Sequence, residues 1–407
     1  MKKKGIFIAL FVLVLSAFLF STCASLGGGG RAPVEPRIAS YIRTWPIPEA
    51  MRQDGSPYWN AGMINGEHLT HLIISFALID PADGTTIYIP ELRPLADGTP
   101  MFSNLWDEVA ILKERYPHLK VNFSVGGYGA RGFTEMSADP SMRATFVANI
   151  VQWLDEYNLD GVDVDWEYPV GPPWDDENHP ADRRNYILLL QDIRDALDEL
   201  GTRTGKRYGL STAVPASGWF VEANDVRAAA RIVDSLKMMS YDYYGGWSRT
   251  TGHQANLYNN PLDPAWGGWS TDQALNSYLW AGIPPEKIAL GFGFYGRAWQ
   301  GVEVGSYEYT PGLFQPWTSL PFYEGTLSWT EIRELLKPGS GYTRYWDDVG
   351  NAPYLYNGDI WISYTDEEQI KVLTDYAKEK GLGGVFNWEY GHDMDAELLK
   401  ILSENAR

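Results

Sequence analysis

Short apolar runs alternate with longer amphipathic stretches along this chain from about residue 37 onward. The runs fall at 37–45, 71–80, 120–127, 161–168, 208–216, 235–244, 288–299 and 383–390. Each is rich in Val, Ile, Phe and small residues, the composition of strands buried on both faces. The stretches between them, among them 105–116, 141–157, 183–200, 272–281 and 366–380, carry helical periodicity. Asp139-Pro140 and Thr365-Asp366-Glu367 read as helix starts, and Gly381 reads as a helix stop. Eight strands with helical crossovers predict an α/β fold, a (β/α)8 TIM barrel. A doubly wound open sheet competes, but no Gly-rich phosphate loop follows the first strand.

One interval breaks the alternation. Residues 300–356 separate the seventh and eighth strands by more than a crossover helix needs. They are rich in Gly, Pro, Tyr and Trp, with β-like pieces at 306–310 and 341–347 and one helix at 330–336. This predicts a small α+β insertion between strands 7 and 8, leaving 37–299 and 357–407 as the barrel. Loops at the C-terminal face of such barrels build the active site, so the insertion would wall a cleft.

The N-terminus has a different pattern. Lys2-Lys3-Lys4 precede an apolar run over 6–20 that ends at Ser21-Thr22-Cys23, the layout of an export signal. Cys23 is the only cysteine and sits where cleavage would occur, as in a bacterial lipoprotein signal, with plain secretion the alternative. Residues 1–22 are expected to be the signal and 23–36, with Gly27 to Gly30, a flexible tether. A protein exported to the cell envelope or beyond follows, with no intramolecular disulfide and a membrane link only through a lipid anchor.

Composition narrows the partners. The formal net charge is −19 over 407 residues, which disfavours a nucleic-acid polyanion and places no penalty on a neutral substrate. Seventeen Trp and 25 Tyr exceed what packing alone requires, and flat amphipathic rings suit the C–H faces of sugars.

The candidate chemistry lies in Asp160-Gly161-Val162-Asp163-Val164-Asp165-Trp166-Glu167. Alternate strand residues share a face, so Asp163, Asp165 and Glu167 point one way and Val162, Val164 and Trp166 the other. Carboxylates that close and partly desolvated cannot all ionise, so at least one pKa must rise. A protonated Glu167 at the strand's C-terminal end, over Asp165, is the arrangement a glycosidase needs. A calcium loop fits poorly, because Gly161 breaks its spacing and no His is near in sequence. A purely structural charge cluster remains the bland alternative. Neither metal nor cofactor is expected.

The run Asp160 to Glu167, continued by Tyr168-Pro169, resembles the DGxDxDWEYP signature of family 18 glycoside hydrolases, the chitinases and endo-β-N-acetylglucosaminidases. Ser124, Gly126 and Gly127 are similar to the family's SxGG, and Met239, Tyr241 and Asp242 to its MxYD. Tyr295 and Arg297 close the seventh strand and Trp388 the eighth, and 300–356 is similar to the chitinase insertion domain. The resemblance implies a retaining, substrate-assisted reaction on β-1,4-linked N-acetylglucosamine, in which the 2-acetamido oxygen attacks the anomeric carbon. Glu167 would then be the acid and base, Asp165 would orient the acetamido N–H, and Asp163 would share a proton with Asp165. Tyr241 would hydrogen-bond the acetamido oxygen and Asp242 a neighbouring part of the sugar. Trp388 would be the floor of the cleavage subsite, Trp45, Tyr128 and Trp219 flanking platforms, and Arg297 a grip from the insertion. Asp160 is expected to brace the strand's start, and Ser124, Gly126 and Gly127 to make room beside the acids. After Trp388 the chain reads Glu389-Tyr390-Gly391-His392-Asp393, a departure from the family's Trp-x-x-Asp-x-Asp. A chitinase-type enzyme acting as a monomer is expected, with N-glycan endo-cleavage and a non-catalytic lectin as alternatives.

Overall fold

A computed structural model describes residues 36–46, 58–94, 98, 101–172, 179–265, 268–306 and 309–407. The expected export segment, Cys23 and the glycine tether lie outside the described residues. In chain order the strands are β1 (Arg37–Arg43), β2 (His71–Ile79), β3 (Ile87–Tyr88), β4 (Lys120–Gly126), β5 (Gly161–Asp165), β6 (Gly209–Pro215), β7 (Ser235–Met239), β8 (Ile288–Gly293), β9 (Tyr295–Gln300), β10 (Thr326–Ser328), β11 (Thr343–Asp347), β12 (Ala352–Tyr356), β13 (Ile360–Ser363) and β14 (Gly384–Trp388). The helices are α1 (Leu105–Arg115), α2 (Phe133–Ala138), α3 (Pro140–Glu156), α4 (Asp182–Thr204), α5 (Gly218–Ala223), α6 (Val226–Ile232), α7 (Thr271–Trp280), α8 (Trp329–Leu335), α9 (Glu367–Glu379) and α10 (Glu397–Ala406).

Eight parallel strands close on themselves in the order β1, β2, β4, β5, β6, β7, β8, β14, with β1 pairing both β2 and β14. This is a (β/α)8 barrel. Side-chain parity divides it cleanly. Ile38 and Ile42, Val162 and Val164, and Leu236 and Met238 belong to the outer core against the helices. Ala39, Tyr41, Ile73, Ala289 and Phe386 fill the interior, with Phe76, Met239, Tyr241 and Trp388 packed on them near its mouth. Helix starts follow local chemistry: Asp139 accepts from the N–H groups of Ser141 and Met142, and Asp366 from that of Gln369.

Two runs end differently from the hydrophobic pattern. The run at 161–168 is strand only to Asp165, because β4 pairs with it no further than Gly126 opposite Asp165 and β6 no further than Thr212 opposite Val164. The run at 288–299 breaks at Phe294: β8 stays in the barrel and β9 opens a second, antiparallel sheet in the order β10-β9-β13-β12-β11. That sheet starts at Tyr295 and ends at Ser363, a wider span than 300–356. Among the described residues of 306–310 there is no strand.

Candidate functional site

At the C-terminal mouth of the barrel lies a cleft of about 1300 Å³ whose lining includes Tyr128, Glu167, Tyr168, Trp219, Met239, Tyr241, Asp242 and Trp247. Asp163 and Asp165 lie below it, both buried. The acids thus form a column rising from the barrel core to the cleft floor.

Each step of the column has a different electrical setting. Asp163 is fully enclosed and collects four donors: Tyr41 Oη at 2.7 Å and Ser124 Oγ at 2.9 Å on Oδ2, Ser211 Oγ at 2.5 Å and Lys237 Nζ at 2.8 Å on Oδ1. Burial alone would raise its pKa. The Lys237 ammonium and the donated hydrogen bonds outweigh burial and hold the carboxyl below its ordinary range. Asp165 is the reverse case. Burial, then the negative charges of Glu167 and Asp163, push it well above the usual carboxylate range. Its Oδ1 accepts no hydrogen bond from a described residue. At the top, burial pushes Glu167 up to about 7, opposed by its hydrogen bond with Tyr168 and aided by the charge of Asp242. The column is thus graded: its base favours the carboxylate, its middle favours the protonated form, and Glu167 at the cleft sits between them at about 7.

Glycines make the column possible. A Cβ on Gly126 would stand 2.0 Å from the carbonyl oxygen of Asp165, and the residue has φ 122°. Gly127 donates its N–H to that carbonyl at 2.9 Å and lies against the ring of Phe76. Ser124 does more than make room, since it bonds Asp163 directly. Asp160, at the foot of β5, accepts from Lys113 Nζ at 2.5 Å and from the Val121 N–H at 2.9 Å.

Around the acids, Tyr241 sits edge-on to Tyr295 with ring centres 6.2 Å apart, and burial raises its hydroxyl pKa well above normal. Asp242, at φ 60°, takes both arms of the Arg297 fork: Nε to Oδ1 at 2.8 Å and Nη2 to Oδ2 at 2.9 Å. Arg297 Nη1 reaches Thr326 Oγ1 at 2.8 Å. The guanidinium is therefore engaged along its length, and it ties β9 and β10 of the second sheet to the loop after β7.

Trp388 and Trp45 belong to an aromatic group with Phe76, which no sequence motif had marked. Phe76 stacks on Trp388 at 5.4 Å and 15° and on Trp45 at 6.2 Å and 17°. Tyr128 stands out in solvent at 92% exposure, while Trp219 packs edge-on to Tyr168 at 5.3 Å. The residues after Trp388 turn inward: Glu389 is buried and paired with Arg43, and Asp393 accepts the Glu397 N–H at 3.0 Å and the Leu399 N–H at 2.9 Å, fixing the start of α10. No group of three or more metal-ligating side chains occurs among the described residues.

Sequence reasoning also passed over Tyr41, Ser211, Lys237 and Trp247. A signal existed for Lys237, a lysine inside an apolar strand at an inward position, where charge is costly unless paired. Nothing in the sequence named its partner.

A parallel barrel with a raised-pKa carboxyl over a buried acid at its C-terminal mouth is a fold and site of the glycoside hydrolase type. The chain belongs to the glycosyl hydrolases family 18, whose model matches residues 37–393. It is 37% identical to Chitinase A1 of Niallia circulans over 305 residues, 72% of this chain and 43% of that protein. Among solved structures, chitinase ChiW from a Paenibacillus strain aligns with TM-score 0.79 at 31% identity, over 91% of this chain and 42% of that one. A family 18 N-acetylglucosaminidase from Paenibacillus barengoltzii aligns with TM-score 0.75 at 32% identity, over 91% of this chain and 99% of that one. The chain thus spans less than half of the first two relatives and nearly all of the third.

Proposed function

We propose that this chain hydrolyses β-1,4-linked N-acetylglucosamine chains, chitin or its oligomers, with retention and with the substrate's own 2-acetamido oxygen as nucleophile. One observation carries the reading. Besides Glu167, the only carboxylate lining the cleft among the described residues is Asp242, and Arg297 occupies both of its oxygens. Among the described residues no carboxylate free of a guanidinium lines the cleft with Glu167, which favours a route that draws its nucleophile from the substrate over the two-carboxylate routes. Glu167, protonated up to about pH 7, gives its proton to the leaving oxygen as the bond to the anomeric carbon breaks. The acetamido oxygen closes on that carbon, Asp165 accepts a hydrogen bond from the acetamido N–H, and the negative charge that the column keeps on Asp163 beneath it offsets the positive charge of the oxazolinium. Tyr241 steadies the acetamido oxygen. Glu167, now a carboxylate, draws a proton from water as it opens the ring. On this reading the stacked group of Trp388, Trp45 and Phe76 serves as the sugar platform. The expected N-terminal export signal suits a polymer met outside the cell.

The test is hydrolysis of N-acetylglucosamine hexamer beside the same oligomer fully deacetylated. Cleavage of the first with the β-anomer formed initially, and none of the second, supports the reading. Equal cleavage of both removes the acetamido group from the mechanism. A second reading rests on the likeness to the N-acetylglucosaminidase, which this chain covers over 99% of its length. Release of monomer from the hexamer favours that activity, and internal cuts favour an endo-acting chitinase. Cleavage of an N-glycopeptide in place of the hexamer would point to the endo-β-N-acetylglucosaminidase specificity, and binding with no cleavage of either to a lectin.

A further inference from the structure

Beneath the acid column, Lys237 is buried at 5% exposure on the inward face of β7. Its register partners are Ala213 on β6 and Ala289 on β8, which leave the long side chain room to cross the barrel. The ammonium ends against Asp163 Oδ1 at 2.8 Å and against Ser211 Oγ. Ser211 and Ser124 are themselves the register partners of Asp163 on β6 and β4, so one layer of the barrel is devoted to a single carboxylate. Taking an ammonium out of water is expensive, and a serine or asparagine would satisfy a neutral aspartic acid as well. The layer is built for a charged one.

We propose that Lys237 is the positioning residue that confines the catalytic proton to Asp165 and Glu167, by keeping Asp163 a carboxylate throughout the cycle. This rests on the glycosidase reading of the column. A column of three carboxyls without a cation would let the proton sink to the bottom aspartate, out of reach of the glycosidic oxygen. With Lys237 in place the bottom position never accepts it, and the negative charge below the reacting sugar is permanent.

The groups facing Lys237 agree with this. From β1 come the Tyr41 ring, 5.9 Å from Nζ, and the Arg37 charge; from β5 come Asp163 and Asp165. His71 on β2 is lowered to about 4, by burial first and then by Lys237 and Arg37, and is neutral at working pH. A cavity of about 460 Å³ below Lys237, at the N-terminal end of the barrel, adds Lys120, Asp160, Arg207 and Asp234 at its walls. Asp160 is committed to Lys113, and Asp234 lies within ion-pair reach of Arg207. Asp163 is the carboxylate hydrogen-bonded to Lys237.

The experiment is carboxyl-carbon NMR of the full chain labelled at aspartate, titrated from pH 4 to 8, with the Asp163 resonance assigned by its loss in D163N. In the wild type that resonance stays at the ionised position throughout; in Lys237→Met it titrates within the window. In parallel, kcat of Lys237→Met falls about tenfold at the acid end with KM nearly unchanged, as its acid limb moves up by about one pH unit. Lys237→Arg, which keeps the charge, returns both readouts toward wild type. An Asp163 that takes up a proton in the wild type inside that window overturns the proposal, even if Lys237→Met does not fold. So does an Asp163 that stays ionised in folded Lys237→Met, or Met and Arg variants that behave alike. Loss of all hydrolysis in the wild type would instead remove the functional reading and leave the titration to judge the lysine.

Discussion

Arg43 grips Glu389 twice, donating its backbone N–H to Oε2 at 2.9 Å and its side-chain Nε to Oε1. The last residue of β1 is thereby fastened to the residue that follows Trp388, 346 positions away in sequence. His392 Nε2 lies 2.9 Å from Arg43 Nη2, and burial, then the charges of Arg43 and Arg297, keep that imidazole neutral. Arg43 also lies over the Trp45 ring at 5.2 Å, so the pair underpins both tryptophans.

Glu389→Gln keeps the shape and removes the charge that balances a buried guanidinium. Breaking such a pair costs about 3–5 kcal/mol, read as a lower denaturant midpoint at unchanged slope. Because the tryptophan platform shifts with it, KM for the hexamer should rise more than kcat falls.

Glu167→Gln removes the proton donor without changing its outline. Hydrolysis should fall by about 10²–10⁴-fold while binding of the hexamer, followed by tryptophan fluorescence, persists. A variant that cleaves as well as the wild type removes Glu167 from the acid role.

The raised pKa of Glu167 sets two pH dependences. Activity needs the protonated form, so kcat/KM should decline as pH rises through about 7. For stability, the folded pKa of about 7 lies above the ordinary 4.5, so the folded state holds this proton more tightly. The associated stability is complete below about pH 4.5 and drains away as pH passes through about 7. Glu167→Gln should therefore gain in Tm over the wild type at pH 8 and show no such gain at pH 4.

Gly126→Ala and Gly129→Ala separate collision from backbone preference. Both glycines have positive φ, 122° and 80°, but only Gly126 would drive its Cβ into the Asp165 carbonyl, whereas nothing lies within 4 Å of Gly129. The Gly129 variant should lose about 1 kcal/mol, measured by thermal melting. The Gly126 variant should lose several times that, and with it the alignment of the acids.

Arg297→Lys replaces a fork by a point charge at a site where both carboxylate oxygens and Thr326 are engaged. About a tenfold loss in kcat/KM is expected, with the barrel's own melting little changed.

Much of this was readable beforehand because parallel barrel strands are buried on both faces and so appear as continuous apolar runs. The acid column was readable because parity alone sorts Asp163 and Asp165 from Val162 and Val164. What escaped were partnerships made by closing the barrel. Lys237 reaches Asp163 across an intervening strand, and Arg43 meets Glu389 only where the first strand joins the last. Neither separation leaves a trace in local pattern. Arg297 looked like a hand for sugar because its motif names the residue and not the carboxylate of Asp242, 55 positions earlier, that occupies it. The break at Phe294 escaped because the chain passes from β8 into β9 through Gly293-Phe294-Tyr295, with no charged residue before Arg297 to mark the change from barrel to second sheet.

The second sheet is entered through β9 and left through β13, and these two strands are zipped together, Gln300 opposite Ile360 and Arg297 opposite Ser363. The chain between those paired ends is also bound to the rest of the barrel: Asp347 Oδ2 lies 3.1 Å from His253 Nε2, Thr251 Oγ1 donates to the Gly312 carbonyl at 2.6 Å, and Trp329 Nε1 donates to Glu397 at 3.0 Å. In engineering terms it is a buttress: closed at its neck by one strand pairing and braced along its length against the loop after β7 and against α10. Cutting it away would strip hydrogen-bond partners from Thr251, His253 and Glu397 at once, so the segment and the loops it leans on form one unit.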